Sequence, residues 1–83
     1  MEKNTMVRAH IQIYKTSDIE RFVSLMEKEE DSYLIVDFHG RQRADAKSKL
    51  GVFYAVAEFN DQLYLVNETN DGCFPAFIDE FRA

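Results

Sequence analysis

Ala46-Lys47-Ser48-Lys49-Leu50-Gly51-Val52 says more about this chain's fold than any other segment. Serine is a strong helix N-cap, because its hydroxyl accepts a hydrogen bond from a free N–H of the first turn. A short helix is therefore expected over Ser48–Val56, interrupted by Gly51. Before it lies a hairpin-like segment, Leu34 to Ala44; after it come one more strand and one more helix.

Upstream, Val7, Ala9, Ile11 and Ile13 alternate with Arg8, His10, Gln12 and Tyr14, the period of a half-buried strand. Ser17-Asp18-Ile19-Glu20 has the form of a capping box. Ile19, Phe22, Val23 and Met26 follow at helical spacing and predict a helix to about Lys28. Leu34, Val36 and Phe38 against Tyr33, Ile35 and Asp37 predict a second strand, with the leucine set inward. His39-Gly40 reads as a tight turn, and Arg41–Asp45 as a polar strand at a sheet edge. Leu63 and Leu65 against Tyr64 and Val66 predict a fourth strand. Phe74, Phe77, Ile78 and Phe81 give a last helical stripe, with Pro75 in its first turn. The order strand, helix, strand, strand, helix, strand, helix predicts an α+β open-faced sandwich, an antiparallel sheet with helices on one face.

The 83 residues are 46% hydrophobic, with seven Phe and four Tyr, enough for one core without metal or disulfide, so residues 1–83 read as a single domain. A net charge of −5 and a pI near 4.9 argue against a nucleic-acid partner, which needs a concentrated basic surface. Cys73 is the single cysteine, so no internal disulfide forms, which fits a reducing cytosol. No apolar run reaches membrane-spanning length, and Met1–Thr5 is too polar and short for a signal peptide. A cytoplasmic protein without membrane contact is expected.

The element order, and the segment Phe38-His39-Gly40 through Val52, resemble the HPr phosphocarrier family of the bacterial sugar phosphotransferase system. Ser48-Lys49-Leu50-Gly51-Val52 is similar to that family's regulatory-serine helix start, where serine and two apolar residues precede Gly-Val. The resemblance implies a four-stranded antiparallel sheet in the order 1-4-2-3 under three helices. It also implies phosphorylation at Ser48 by a metabolite-responsive kinase, and binding of the modified form to a regulator. The family's phosphoryl-carrying segment, Gly-x-His-Ala-Arg-Pro at the mouth of the first helix, has no counterpart in Tyr14-Lys15-Thr16-Ser17-Asp18. Five residues alone separate Ile13 from Ile19, as if that loop had been deleted.

The expectation is a regulatory or protein-interaction domain that is not an enzyme and binds no cofactor or metal. Ser48 reads either as a plain helix cap or as a switch whose phosphate the helix dipole would favour. Lys47, Lys49, Leu50 and Phe53 form the candidate partner surface around it. The alternative is a phosphocarrier using His10 or His39, neither of which sits at a predicted helix N-terminus. A homodimer is a further candidate, through an outward sheet patch of Tyr14, Tyr33, Ile35, Tyr64 and Val66. Cys73 reads as a small buried or half-buried thiol, and Glu27, Glu29, Glu30 and Asp31 as a solvated charge run.

Overall fold

The computed structural model describes residues 6–83. Strand β1 (Ala9–Ile11) leads to helix α1 (Thr16–Met26), the hairpin β2 (Tyr33–Val36) and β3 (Arg43–Asp45), helix α2 (Lys49–Glu58), and strand β4 (Leu63–Asn67). A 3₁₀ helix, Ala76–Phe81, closes the chain. The four strands form one antiparallel sheet in the order β1-β4-β2-β3, and the three helices share a single core with its inner face. That core joins Ala9, Ile11, Leu63, Leu65, Ile35 and Ala44 from the sheet to Phe22, Met26, Val52, Phe59, Ile78 and Phe81 from the helices. Phe22 and Phe81 meet edge to face at 5.2 Å.

The phase of β2 is the reverse of the sequence expectation. Leu65, inward on β4, stands opposite both Ala9 and Ile35, and paired residues of neighbouring strands share a face. Ile35 and Tyr33 are therefore buried under the helices, while Leu34 and Val36 turn outward. Tyr33-Leu34-Ile35-Val36 is apolar at every position, so it carries no alternation from which its inward side could be read.

Local chemistry accounts for the other departures. Lys15 Cα, extended at φ −103°, ends the β1–α1 connection, and its carbonyl accepts from the N–H groups of Asp18 and Ile19, both at 3.0 Å. The helix thus begins before Ser17, and the expected capping box does not form. Pro75, extended at ψ 150°, precedes the last helix rather than entering it. There Ile78 N–H donates to the Pro75 carbonyl, and Ile78 and Phe81 are the buried pair, three residues apart, the period of a 3₁₀ turn. Beyond it, residues 81–83 run beside β1, with Gln12 N–H donating to Phe81 and Ala83 N–H to His10, so the β1 edge is covered.

Helix α2 is unbroken, because Gly51 lies in its first turn. A Cβ at Gly51 would stand 3.0 Å from the Asp45 carbonyl oxygen and 3.3 Å from its nitrogen, where β3 enters the helix. Helix propensity alone would gain up to about 1 kcal/mol from Gly51→Ala. The clash is with backbone, which yields little, so we expect a net loss of about 1 kcal/mol in urea denaturation. A stabilised variant would contradict the close approach.

Asn67, fully buried at the end of β4, ties two loops to the sheet. Its Nδ2 donates to Asp31 Oδ2 at 2.9 Å and to the Cys73 carbonyl at 2.8 Å, and its Oδ1 accepts from the N–H groups of Thr69 and Asn70 at 2.8 Å each. Every hydrogen-bonding position of the amide is used. Bonds from Asn67, then Asn70, hold the Asp31 carboxyl below its ordinary range. Asp31 is thus a loop anchor more than part of a solvated run. A depressed folded-state value means the stabilisation is complete above the unfolded value and is lost as pH falls through the folded one. Stability should therefore drop as pH goes below about 4, and Asp31→Asn should flatten part of that slope. Asn67→Ala should cost at least about 2 kcal/mol at neutral pH by removing four hydrogen bonds at once. An unchanged acid limb in Asp31→Asn would contradict the assignment.

Candidate functional site

A tight turn carries the chain from β3 into α2. Asp45 Oδ1 accepts from Lys47 N–H at 2.9 Å, and the Asp45 carbonyl accepts from Ser48 N–H at 3.1 Å. Ser48 then caps the helix, its Oγ accepting from Gly51 N–H at 3.1 Å. The cap fixes one turn of helix whose inner side buries Val52 and Ala55. Its outer side presents Leu50, 83% exposed, with Phe53 at 36% and Tyr54 at 47%. Positions i, i+3 and i+4 of a helix adjoin, so the three side chains form one apolar strip next to the serine. Tyr54 is held at the strip's edge by its hydroxyl, which donates to Gln42 Oε1 at 2.6 Å.

The two lysines flanking Ser48 are already engaged. Lys47 Nζ donates to the Glu29 carbonyl at 2.5 Å, and Lys49 pairs with Glu20 at 3.1 Å, both partners about half exposed. An exposed pair of that kind is worth about 1 kcal/mol or less. A dianionic phosphate on Ser48 could therefore recruit Lys49 from Glu20, and it would also meet the positive end of α2. The sequence-predicted residues Ser48, Lys47, Lys49, Leu50 and Phe53 thus come together at one helix start, and Tyr54 completes the strip.

The mouth of α1 is built differently. Gln12, Tyr14, Asp18, Arg21, Glu80 and Arg82 surround it. Arg21 is paired with Glu80 at 2.6 Å and lies over the Phe81 ring at 4.7 Å. The histidines are elsewhere. His10, on the outer sheet face, stacks on Tyr64 at 4.6 Å with Nε2 3.2 Å from the Asp61 carbonyl. His39 is exposed in the hairpin turn, edge-on to Phe38 at 5.2 Å. That turn is set by Gly40 at φ +72° and by Asp37. Burial raises the Asp37 carboxyl, but N–H bonds from Gln42, Arg41 and Gly40 outweigh it and leave the group below its ordinary range.

The expected sheet patch does not assemble as read. Tyr33 and Ile35 lie in the core, and burial, followed by the nearby Asp31 and Glu29 carboxylates, pushes the Tyr33 phenol up. Tyr14 is exposed beyond the end of β1, its hydroxyl bonded to Gln12 Oε1. Tyr64 and Val66 do lie on the outer face by register, opposite Val36 and Leu34, but Val66 is buried there and offers no open surface, contrary to expectation. Cys73 is exposed, contrary to expectation, because its loop hangs from Asn67 by the Cys73 carbonyl and leaves the thiol outside. The sequence signal for these positions was the pairing partner: once Leu65 is inward, Leu34, Val36 and Asn67 have fixed faces.

Among the described residues no helix is long and apolar enough to cross a membrane. Comparison of the chain with protein-family models, with curated proteins and with solved structures found no match.

Proposed function

We propose that this chain is a non-catalytic, HPr-like protein-interaction domain that docks a protein partner through the start of α2. The observation that carries this reading is the strip of Leu50, Phe53 and Tyr54, open to water directly beside a serine-capped helix N-terminus. A leucine left 83% exposed adds nothing to the core, whereas buried against a partner it would contribute about 2 kcal/mol. The element order and the sheet order 1-4-2-3 support the HPr-like reading.

Phosphorylation of Ser48 is the natural switch of this surface. It would replace a hydroxyl cap by a dianion at the positive end of α2, next to the apolar strip. Carrier chemistry is no part of the proposal, because His10 and His39 lie on the outer sheet face and in the hairpin, away from any helix N-terminus. A cytoplasmic setting goes with the reading and is supported by an exposed, unpaired Cys73.

Two incubations test it. With phosphoenolpyruvate and its phosphotransfer enzyme, no acid-labile phosphate should form. With ATP and an HPr-type serine kinase, acid-stable phosphate should appear on Ser48 and vanish in Ser48→Ala. Leu50→Asp should lower kinase kcat/KM at least about tenfold by removing a docking anchor. Its folding stability should stay within about 0.5 kcal/mol of the parent, since Leu50 is a surface position. Acid-labile phosphate on His10 or His39, or a Leu50→Asp variant modified at the parental rate, would overturn the proposal.

A further inference from the structure

The sheet face turned away from the helices carries a second constellation. Its floor is Leu34, partly open, beside Val36 and Val66, which are already largely covered within the chain, with the half-exposed Phe38 ring at the hairpin end. The Arg8 guanidinium lies 4.3 Å from the Tyr64 ring centre and 5.9 Å from that of Phe38, and Nη1 donates to the Phe38 carbonyl at 2.8 Å. Two rings and a carbonyl thus fix this cation over the sheet, and among the described residues no carboxylate pairs with it.

Charge on this face is graded along the strands. Of the five arginines, Arg21 and Arg82 are ion-paired. Arg8, Arg41 and Arg43, which have no carboxylate partner among the described residues, gather toward the hairpin end. Asp45 and Glu68 lie toward the opposite end, beside Leu34 and Ser32. Asp45 Oδ1 accepts from Lys47 N–H at 2.9 Å and Glu68 Oε1 from Ser32 Oγ at 3.1 Å, so both carboxylates are held in place. A chain of net charge −5 therefore carries a face with a cationic end and an anionic end.

Such a gradient is complementary to itself after a half-turn. A two-fold axis lying in the plane of the face and across the strands sets each strand on its own copy, running the other way. β3 then meets β3 with Arg43 near the partner copy's anionic end, and β4 meets β4 with the Arg8 guanidinium above the Glu68 end. We propose that the occupant of this face is a second copy of the chain, joined in an isologous two-fold dimer. The apolar floors meet at its centre, and Arg8–Glu68 and Arg43–Asp45 pairs flank them between copies. Each open-faced half thereby becomes one side of a β-sandwich, with strand directions within roughly 30° of each other. The two surfaces stay independent, because α2 lies on the other side of the sheet and remains free for a partner.

The face is small. Four strands about 4.8 Å apart and about four residues long offer well under the roughly 800 Å² per partner of a stable interface. The dimer is accordingly weak, and it forms at micromolar to millimolar concentration.

A charge swap read by sedimentation velocity tests this at protein concentrations up to about 1 mM. The parent chain should show concentration-dependent dimerisation that weakens as salt rises. Arg8→Glu alone, and Glu68→Arg alone, should each weaken it at least about tenfold, since both inter-copy pairs become like-charged. An equimolar mixture of the two variants restores opposite charges at both pairs and should recover the parental association. That recovery also proves that both variants are folded. A parent monomeric throughout the range, single variants that still dimerise, or a folded mixture without recovery would each overturn the proposal.

Discussion

Leu65 stands opposite Ala9 on one side and Ile35 on the other, and this double pairing governs the sheet. Once Leu65 points to the helices, its row, which continues from Ile35 to Ala44, is inward on all four strands, and every residue one step away is outward. The rest follows from that parity. Ile35 and Tyr33 complete the floor under α1 and α2, while Tyr64, Val66, Leu34 and Val36 lie on the outer face, where Tyr64 and Leu34 are partly exposed. Asn67, two residues on from Leu65, is turned inward too, where a polar side chain survives only by using all of its hydrogen-bonding positions.

The parts of the fold legible in the sequence were those with strong local signals. Ile19, Phe22, Val23 and Met26 recur at helical spacing and are all buried. Ser48 reads as a cap and is one. Arg41–Asp45 reads as a polar edge strand, and β3 lies at the sheet edge. What was illegible depended on partners distant in sequence. The face of β2 could not be read from Tyr33-Leu34-Ile35-Val36, because only the register with β4 distinguishes its two sides. Ser17 has the right neighbours for a cap, yet the short connection from β1 starts the helix earlier. Asn67 and Asp31 are 36 positions apart, so nothing local marks them as partners.

The candidate site was more legible than the sheet, since it is built almost wholly from contiguous residues. Ser48, Leu50 and Phe53 are placed by one helix, and their relations follow from its geometry. The engagements of Lys47 with Glu29 and of Lys49 with Glu20 were not legible, because they cross between loops and helices. They matter physically: the serine is not surrounded by free cations, so any phosphate there would have to compete for them. The two surfaces of the domain thus have different origins. One is a local consequence of a capped helix, and the other of strand register.

Register is the premise on which the core, the buried amide and the open face all rest. Urea denaturation of dilute Leu34→Asp and Ile35→Asp variants tests it most directly, since these neighbours differ only in the side of the sheet they occupy. Ile35→Asp should lose about 4 kcal/mol or unfold completely, and Leu34→Asp should change by about 1 kcal/mol or less. A folded Ile35→Asp beside an unfolded Leu34→Asp would show that β2 has the opposite face inward and that this register is wrong.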